Sequence, residues 1–334
     1  MMLTTGTWAN DDLRDLLASE VPDQRAAEIA VWRDGKLHTA THGMEGQEDH
    51  VFILASVSKI FLSVALLQLH ERNVLDIDDP IAKWLPGETL AMVDGSENAT
   101  IAQLLQMRSG LPEYLNGFFL TGWFAGLEQT KKPQGALTYA KGMSATAEPG
   151  TEFEYVNTNY VLAQLVLEAA SGMTMAAYFQ ANIFEPVGMA QTTVTGFGSD
   201  ADDLIEAYGD IDGQASFGPV SRYYTGQGFG DGGLSTRAAD VIRFYEALFV
   251  DRSLLGDEAF ARLVDASANG DYGMGIGVDD SDGQTVYGHD GGFVGFATHA
   301  SYWADENIIV VALAGDGDFD AADLADQAID ALAD

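Results

Sequence analysis

The chain has 334 residues, 47% of them hydrophobic, no cysteine, and 51 acidic against 16 basic residues for a formal net charge of −35 at pH 7. That length and apolar content support one large α/β domain or two lobes around a core, while the lack of cysteine excludes disulfides and thiol chemistry. The acid is spread from Asp11-Asp12 to Asp334. It reads as a solvated shell that repels nucleic acid and anionic membranes, and it suits either a salt-rich setting or simply an acidic protein.

Met1-Met2-Leu3-Thr4-Thr5-Gly6 lacks the basic and apolar regions of a signal peptide, so the expectation is a cytoplasmic protein or an exported one written in mature form. No stretch is long and apolar enough to span a membrane. Asp11 to about Val21 predicts a helix. Glu28–Arg33 and Lys36–Ala40 flank Asp34-Gly35, a strong hairpin signal. Val51-Phe52-Ile53-Leu54 then leads into an amphipathic helix whose Ile60, Phe61, Val64, Ala65, Leu66 and Leu69 recur at i, i+3, i+4. A helix-rich stretch follows from about Pro80 to Met189. Strands return from about Tyr272, with Gly295–Trp303, a turn at Ala304–Asn307, Ile308–Ala314 and a last helix over Ala321–Ala333. Strands at both chain ends with helices between them imply an α/β fold of the α+β type: one antiparallel sheet flanked by helices, plus an inserted all-helical lobe. The expected division is 1–79 and 200–334 for the sheet lobe and 80–199 for the helical lobe, together one catalytic unit.

Three short motifs carry chemistry. Ser56-Val57-Ser58-Lys59 places a hydroxyl and an amine three residues apart at the start of the amphipathic helix, on one face. Free N–H groups and the positive end of the helix dipole favour negative charge there, and a lysine on a buried face has its amine form favoured, so it can take the seryl proton. Tyr155-Val156-Asn157 lies between the Pro149-Gly150 turn and a helical run, on a loop entering a helix; a phenol near an ammonium can shuttle protons, and an amide can orient a lysine or a carbonyl. His289-Asp290-Gly291-Gly292 stands between Thr285-Val286-Tyr287 and the strand-like Val294–His299. Its glycines let a ligand approach a strand closely, and N–H groups there can point into a cleft.

The three motifs in that order resemble the serine β-lactamase-like and penicillin-binding protein family, which includes Streptomyces-type D-alanyl-D-alanine carboxypeptidases, class C β-lactamases, D-aminopeptidases and some esterases. Flanking segments extend the likeness: Ala99–Leu111, Asn73–Pro80 with Trp84-Leu85-Pro86, Ile183–Met189 and Gly232-Gly233-Leu234-Ser235-Thr236. The resemblance implies acyl transfer through a covalent seryl intermediate, with Ser56 as nucleophile and Lys59 as its base. Tyr155 would shuttle the proton to the leaving group and activate water, Asn157 would orient Lys59 and the substrate amide, and His289 would hold the strand edge and the electrostatics near Tyr155. The N–H groups of Ser56 and Gly292 would form the oxyanion hole, with Gly291 beside it. No cofactor is implied.

Other residues leave alternatives open. Tyr114, Phe118, Phe119, Trp123 and Phe124 follow the Ser109-Gly110-Leu111 turn and either wall the substrate cleft or pack the lobes together. His38, His42, His50, His70 and His299 show no metal-ligand spacing, and Asp316–Asp320 reads as a polar cap to the last helix more than as a calcium loop. Where Streptomyces-type peptidases carry arginines before the third motif, this chain reads Gly277-Val278-Asp279-Asp280-Ser281-Asp282. A free terminal carboxylate would lack its clamp and meet acids, so a small peptide, amide or ester substrate with a neutral or cationic end is expected. D,D-peptidase, D-aminopeptidase, carboxylesterase and class C-like β-lactamase activities all fit the motifs. A penicillin-recognising sensor that acylates without turning over is the reading of another class, and Tyr155, needed for deacylation, weighs against it.

Overall fold

The computed structural model describes residues 10–195, 203–210, 217–224, 228–280 and 283–333. Met1–Gly6, Ser281-Asp282, Asp334 and the expected 199/200 boundary lie outside them.

Strands β1 (Ala27–Arg33), β2 (Lys36–His42), β8 (Gly277–Asp279), β9 (Val286–Phe293), β10 (Phe296–Trp303) and β11 (Ile308–Ala314) form a six-stranded antiparallel sheet. Its order is β2-β1-β11-β10-β9-β8. The Asp34-Gly35 turn closes β1 on β2, with both residues at positive φ (52° and 77°), the backbone a tight two-residue hairpin requires. Strands β3 (Phe52–Ile53), β4 (Thr193–Val194) and β7 (Leu234–Thr236) form a small second sheet, and β5 (Tyr208–Asp210) pairs with β6 (Phe217–Pro219).

Side-chain alternation on the central strands sorts the core into two layers. Ile29, Val31, Val310 and Ala312 face helices α1 (Asn10–Glu20) and α12 (Ala321–Ala333) through Leu13, Leu17, Leu324 and Ala328. Ala30, Trp32, Ile309, Val311 and Leu313 face the other way, into the larger core that holds α2 (Lys59–Glu71). The i, i+3, i+4 pattern predicts one buried face for α2, yet every residue from Lys59 to Leu69 is buried. The sheet layer covers one side and chain from the middle of the sequence covers the other, so the helix is buried on every face, its polar Lys59, Ser63 and Gln68 included. Phe61 stacks on Phe244 of α10 (Ala238–Tyr245), with ring centroids 3.7 Å apart, and Ser63 bonds Tyr160 of α7 (Thr158–Ser171).

Between α2 and α7 run four short helices, α3 (Gly87–Leu90), α4 (Ile101–Leu105), α5 (Gly117–Phe124) and α6 (Pro133–Leu137); α8 (Met175–Phe179), α9 (Glu185–Val187) and, later, α11 (Asp257–Leu263) complete the set. A capping box starts α4: Thr100 Oγ1 accepts from the Gln103 N–H while Gln103 Oε1 accepts from the Thr100 N–H. The chain then turns at Gly110, φ +67°, packed so closely that a Cβ there would meet the Ala147 carbonyl oxygen at 2.1 Å. That turn delivers Leu111-Pro112-Glu113-Tyr114 to the site.

Val294-Gly295 reads as part of a strand, but it is the turn between β9 and β10, because Gly295 sits at φ +87° where strand backbone cannot continue. The His289–Gly292 run is therefore strand, inside β9. Asp316 to Asp320 behaves as a cap: Asp316 pairs with Arg25 at 2.9 Å, and Asp320 Oδ1 accepts from the Asp323 N–H at 3.0 Å.

Candidate active site

Ser56 stands in a short 3₁₀ turn, Ala55–Ser58, immediately before α2 rather than in the helix itself. Ala55 holds φ +47°, a costly conformation for a residue with a Cβ, and the surroundings enforce it. The Leu54 N–H bonds the Leu234 carbonyl at 2.8 Å, and the Leu54 carbonyl accepts from Thr298 Oγ1 of β10 at 2.8 Å. Gly291 packs directly beneath, where a Cβ would meet the Leu54 oxygen at 2.6 Å and the Ala55 Cβ at 3.2 Å. Gly291 is thus a packing residue under the serine turn and not a wall of the cleft, a correction that follows from this close approach.

Lys59 is fully buried and its Nζ has three partners: Ser56 Oγ at 2.9 Å, Asn157 Oδ1 at 2.9 Å and the Asp231 carbonyl at 2.6 Å. Asn157 occupies the N-cap position of α7, yet its side chain caps nothing in the helix. It is held instead by Glu113, whose Oε2 accepts from both the Asn157 backbone N–H, at 2.7 Å, and its amide Nδ2, at 3.1 Å. With the NH₂ turned to Glu113, the amide oxygen must face Lys59. Thr158 ties the same two segments together, donating to the Pro112 carbonyl at 2.7 Å and accepting from the Tyr114 N–H at 2.9 Å.

Two carboxyls therefore belong to the lysine's surroundings, Asp231 buried beside it and Glu113 part-buried behind Asn157. Burial pushes the Glu113 carboxyl above the usual carboxylate range, and Asp231 close by adds to this. Burial likewise raises Asp231, opposed by Lys59 and by the Tyr114 hydroxyl, which donates to its Oδ2 at 2.7 Å. Sequence reasoning named neither acid. Signals were present: Glu113 directly precedes Tyr114, and Asp231 is a lone charge in Phe229-Gly230-Asp231-Gly232-Gly233.

Tyr155 is 39% exposed, and Lys59 Nζ lies 5.0 Å from its ring centroid. Its hydroxyl has no hydrogen-bond partner among the described residues. The His289 ring is 6.0 Å away, centroid to centroid. His289 Nδ1 faces the Asp290 carbonyl, which can only accept, so Nδ1 carries the proton. Burial and the nearby Lys59 push His289 down to about 4, so Nε2 is an acceptor and takes a hydrogen bond from the Tyr272 hydroxyl at 3.1 Å.

Gly292 lies on β9 next to the two-residue turn. The closing pair Phe293–Phe296 exchanges the strand hydrogen bonds, so the adjacent pair Gly292–Ala297 does not, and the Gly292 N–H turns away from β10. β8 pairs with β9 only from Gly288 back to Val286, which leaves that N–H at an open edge facing the cleft.

Beside these groups opens a cavity of about 190 Å³, lined by Ser56, Tyr155, Asn157, Gly292, Tyr114 and Asp231 together with apolar side chains. Of the aromatics expected to wall it, Tyr114 does so. Phe118 does not: it is 82% exposed on the outer face of α5, and its neighbour Phe119 lines the cavity instead. Trp123 is buried behind the wall, against Tyr224 and Phe293. A second, wider hollow meets the first at Tyr155 and is lined by His289, Asp271, Asp279 and Asp290 among others. Neither is lined by arginine or lysine among the described residues. Arg108 is tied to Ala268, Asn269 and Gly150, and Arg222 lies over the Tyr223 ring. No group of three or more His, Cys, Asp or Glu side chains placed to hold a metal ion occurs among the described residues, and no single helix there is long and apolar enough to cross a membrane.

A serine paired with a buried lysine at the foot of the central helix, facing a strand edge of an antiparallel sheet, defines the class of fold and site. The chain belongs to the Beta-lactamase family, which its sequence matches over residues 15–333. It is 29% identical over 278 residues to Penicillin-binding protein 4* of Bacillus subtilis (strain 168), covering 79% of this chain and 60% of that one. To a D-aminopeptidase of Cereibacter sphaeroides it is 26% identical over 267 residues, 78% of this chain and 49% of the other. The chain thus spans between half and three-fifths of these relatives. Among solved structures, a D-stereospecific amidohydrolase from Streptomyces sp. superposes with TM-score 0.82 at 26% identity, covering 96% of this chain and 98% of that one. D-amino acid amidase from Ochrobactrum anthropi SV3 gives TM-score 0.81 at 21% identity over 97% and 98%, a likeness of fold.

Proposed function

We propose that this chain is a serine hydrolase that cleaves amide bonds of D-configured substrates with neutral or cationic ends through an acyl-enzyme on Ser56. The observation that carries the reading is the triple contact of Lys59. In its unprotonated form the amine has two N–H donors and one lone pair; Asn157 Oδ1 and the Asp231 carbonyl take the donors, so the lone pair faces Ser56 Oγ. Ser56 Oγ bonds the substrate carbonyl carbon as its proton passes to Lys59, and the developing oxyanion is met by the Ser56 and Gly292 N–H groups. Tyr155 relays that proton to the leaving nitrogen as the C–N bond breaks. Water then attacks the ester, its proton returning through Tyr155 and Lys59 to Ser56. The relatives named as a D-aminopeptidase and a D-stereospecific amidohydrolase support the amide and D-configured parts of the reading. The acids of the second hollow support the charge preference.

A panel of D- and L-aminoacyl p-nitroanilides, p-nitrophenyl esters, nitrocefin and D-alanyl-D-alanine peptides tests this. D-amides with neutral or cationic ends should be cleaved at least tenfold more efficiently than matching free carboxylates, about 1.4 kcal/mol. A free D-Ala-D-Ala peptide as best substrate at low salt would refute the charge argument, and a burst without turnover on every ester would make the chain a binding protein. Ser56→Ala should abolish hydrolysis and labelling by a fluorescent penicillin; retention above about one part in a thousand means another nucleophile.

A further inference from the structure

The cavity beside Ser56 is mostly apolar, yet two polar groups with no place in the acyl-transfer chemistry face it. Ile53, Leu115, Phe119, Phe229 and Phe293 form its walls. Thr195, just past the end of β4, also lines it; the residue is 2% exposed, and its Oγ1 has no hydrogen-bond partner among the described residues. Its backbone N–H is bound to the Gly233 carbonyl at 2.9 Å, which fixes the residue two positions from Asp231 across the small sheet. Asp231 is 8% exposed and lines the same space, with one carboxyl oxygen taken by Tyr114. A buried hydroxyl left unpaired is costly, so a native cavity that keeps one is built for a ligand or water that pairs it.

Tyr155 is the residue shared by the two hollows. As the proton relay to the leaving group it stands on the leaving-group side of the scissile bond, so the acidic hollow beyond it receives the leaving group and the narrower cavity receives the acyl side chain. We propose that this cavity is an acyl-side-chain subsite for an aromatic ring ending in a hydroxyl, with Thr195 as the specificity-determining residue. The ring packs among Phe119, Phe229 and Phe293, and its hydroxyl pairs with Thr195 Oγ1 and the Asp231 carboxyl. A plain phenyl ring would displace water from Thr195 without replacing its hydrogen bond, which loses affinity. A cationic end group would have to be desolvated among the aromatic walls, with one Asp231 oxygen already taken by Tyr114. The inference rests on the serine-hydrolase reading only in assigning the cavity to the acyl side.

The test compares p-nitrophenyl esters of 3-phenylpropionate and 3-(4-hydroxyphenyl)propionate, which differ by one oxygen. The intact chain should prefer the hydroxylated ester at least tenfold in kcat/KM. Thr195→Val, which removes the hydroxyl at nearly constant shape, should bring the ratio within twofold of one, and Thr195→Ser should restore it. Equal rates on the two esters, or a preference that survives Thr195→Val, would overturn the proposal. If neither ester acylates Ser56 by intact mass, the hydrolase reading fails. Calorimetric binding of the two corresponding free amides to the unaltered protein then reads the cavity by itself, with the same tenfold criterion.

Discussion

Glu113→Gln is the most informative single change, because it removes a charge and one acceptor without removing volume. The carboxylate accepts from the Asn157 N–H at 2.7 Å, the Asn157 amide at 3.1 Å and the Leu115 N–H at 2.8 Å. Glutamine keeps one oxygen, so its NH₂ must confront at least one of these donors. A hydrogen bond to a charged group contributes about 1.5–3 kcal/mol, and an unsatisfied buried N–H costs about 1–3 kcal/mol. Against this, the variant no longer buries a carboxylate beside Asp231. The expected net loss is about 2 kcal/mol by urea unfolding. The catalytic effect has a separate cause: the Asn157 amide is freed to turn, and Lys59 loses one of two fixed acceptors. Stopped-flow acylation by a p-nitrophenyl ester should slow about 10- to 100-fold, or 1.4–2.7 kcal/mol. The pH dependence distinguishes this role from mere scaffolding. The folded-state pKa of Glu113 is raised, so the native state holds a proton the unfolded state has lost, and this contribution to stability falls as pH climbs from the unfolded value near 4.5 to the folded one. Glu113→Gln removes that slope, so its deficit against the parent should shrink as pH rises across this window. Parental acylation and stability in the variant would refute the argument that Glu113 sets the amide of Asn157.

Tyr155→Phe keeps the ring and removes the hydroxyl; turnover should fall at least 100-fold with folding unchanged, and an acyl-enzyme visible by intact mass should accumulate if deacylation is the slower step. A parental rate would remove Tyr155 from the mechanism. His289, held at about 4, is protonated in the unfolded state from pH 6.5 downward but not in the native one, so its contribution is full above 6.5 and is lost as pH falls to 4. Stability should drop by up to about 3 kcal/mol over that range, and His289→Gln should flatten the drop in acid-unfolding curves. Gly291→Ala inserts a methyl where the Leu54 carbonyl oxygen lies at 2.6 Å, so about 1–3 kcal/mol of stability should be lost and acylation slowed as the serine turn shifts. Unchanged melting and activity would mean that β9 does not brace the turn.

The local features are legible in the residues themselves, because their causes are local. Asp34-Gly35 permits a tight turn, a three-residue spacing puts Lys59 beside Ser56, and the all-apolar Ile308–Ala314 run becomes the fully buried β11. The three motifs and their flanking segments were enough to place the family. Tertiary structure decided what depends on approach between distant segments. Glu113 reaches Asn157 across 44 positions and Asp231 reaches Lys59 across 172, and no periodicity carries such a distance. The same holds for the aromatics after Gly110: which of Phe118, Phe119 and Trp123 faces the cavity depends on how α5 lies against Tyr224 and Phe293, and only packing settles that. Gly291 reads from sequence as a glycine for a ligand and proves a glycine for Ala55, since the close approach that excludes a side chain comes from this chain's own serine turn.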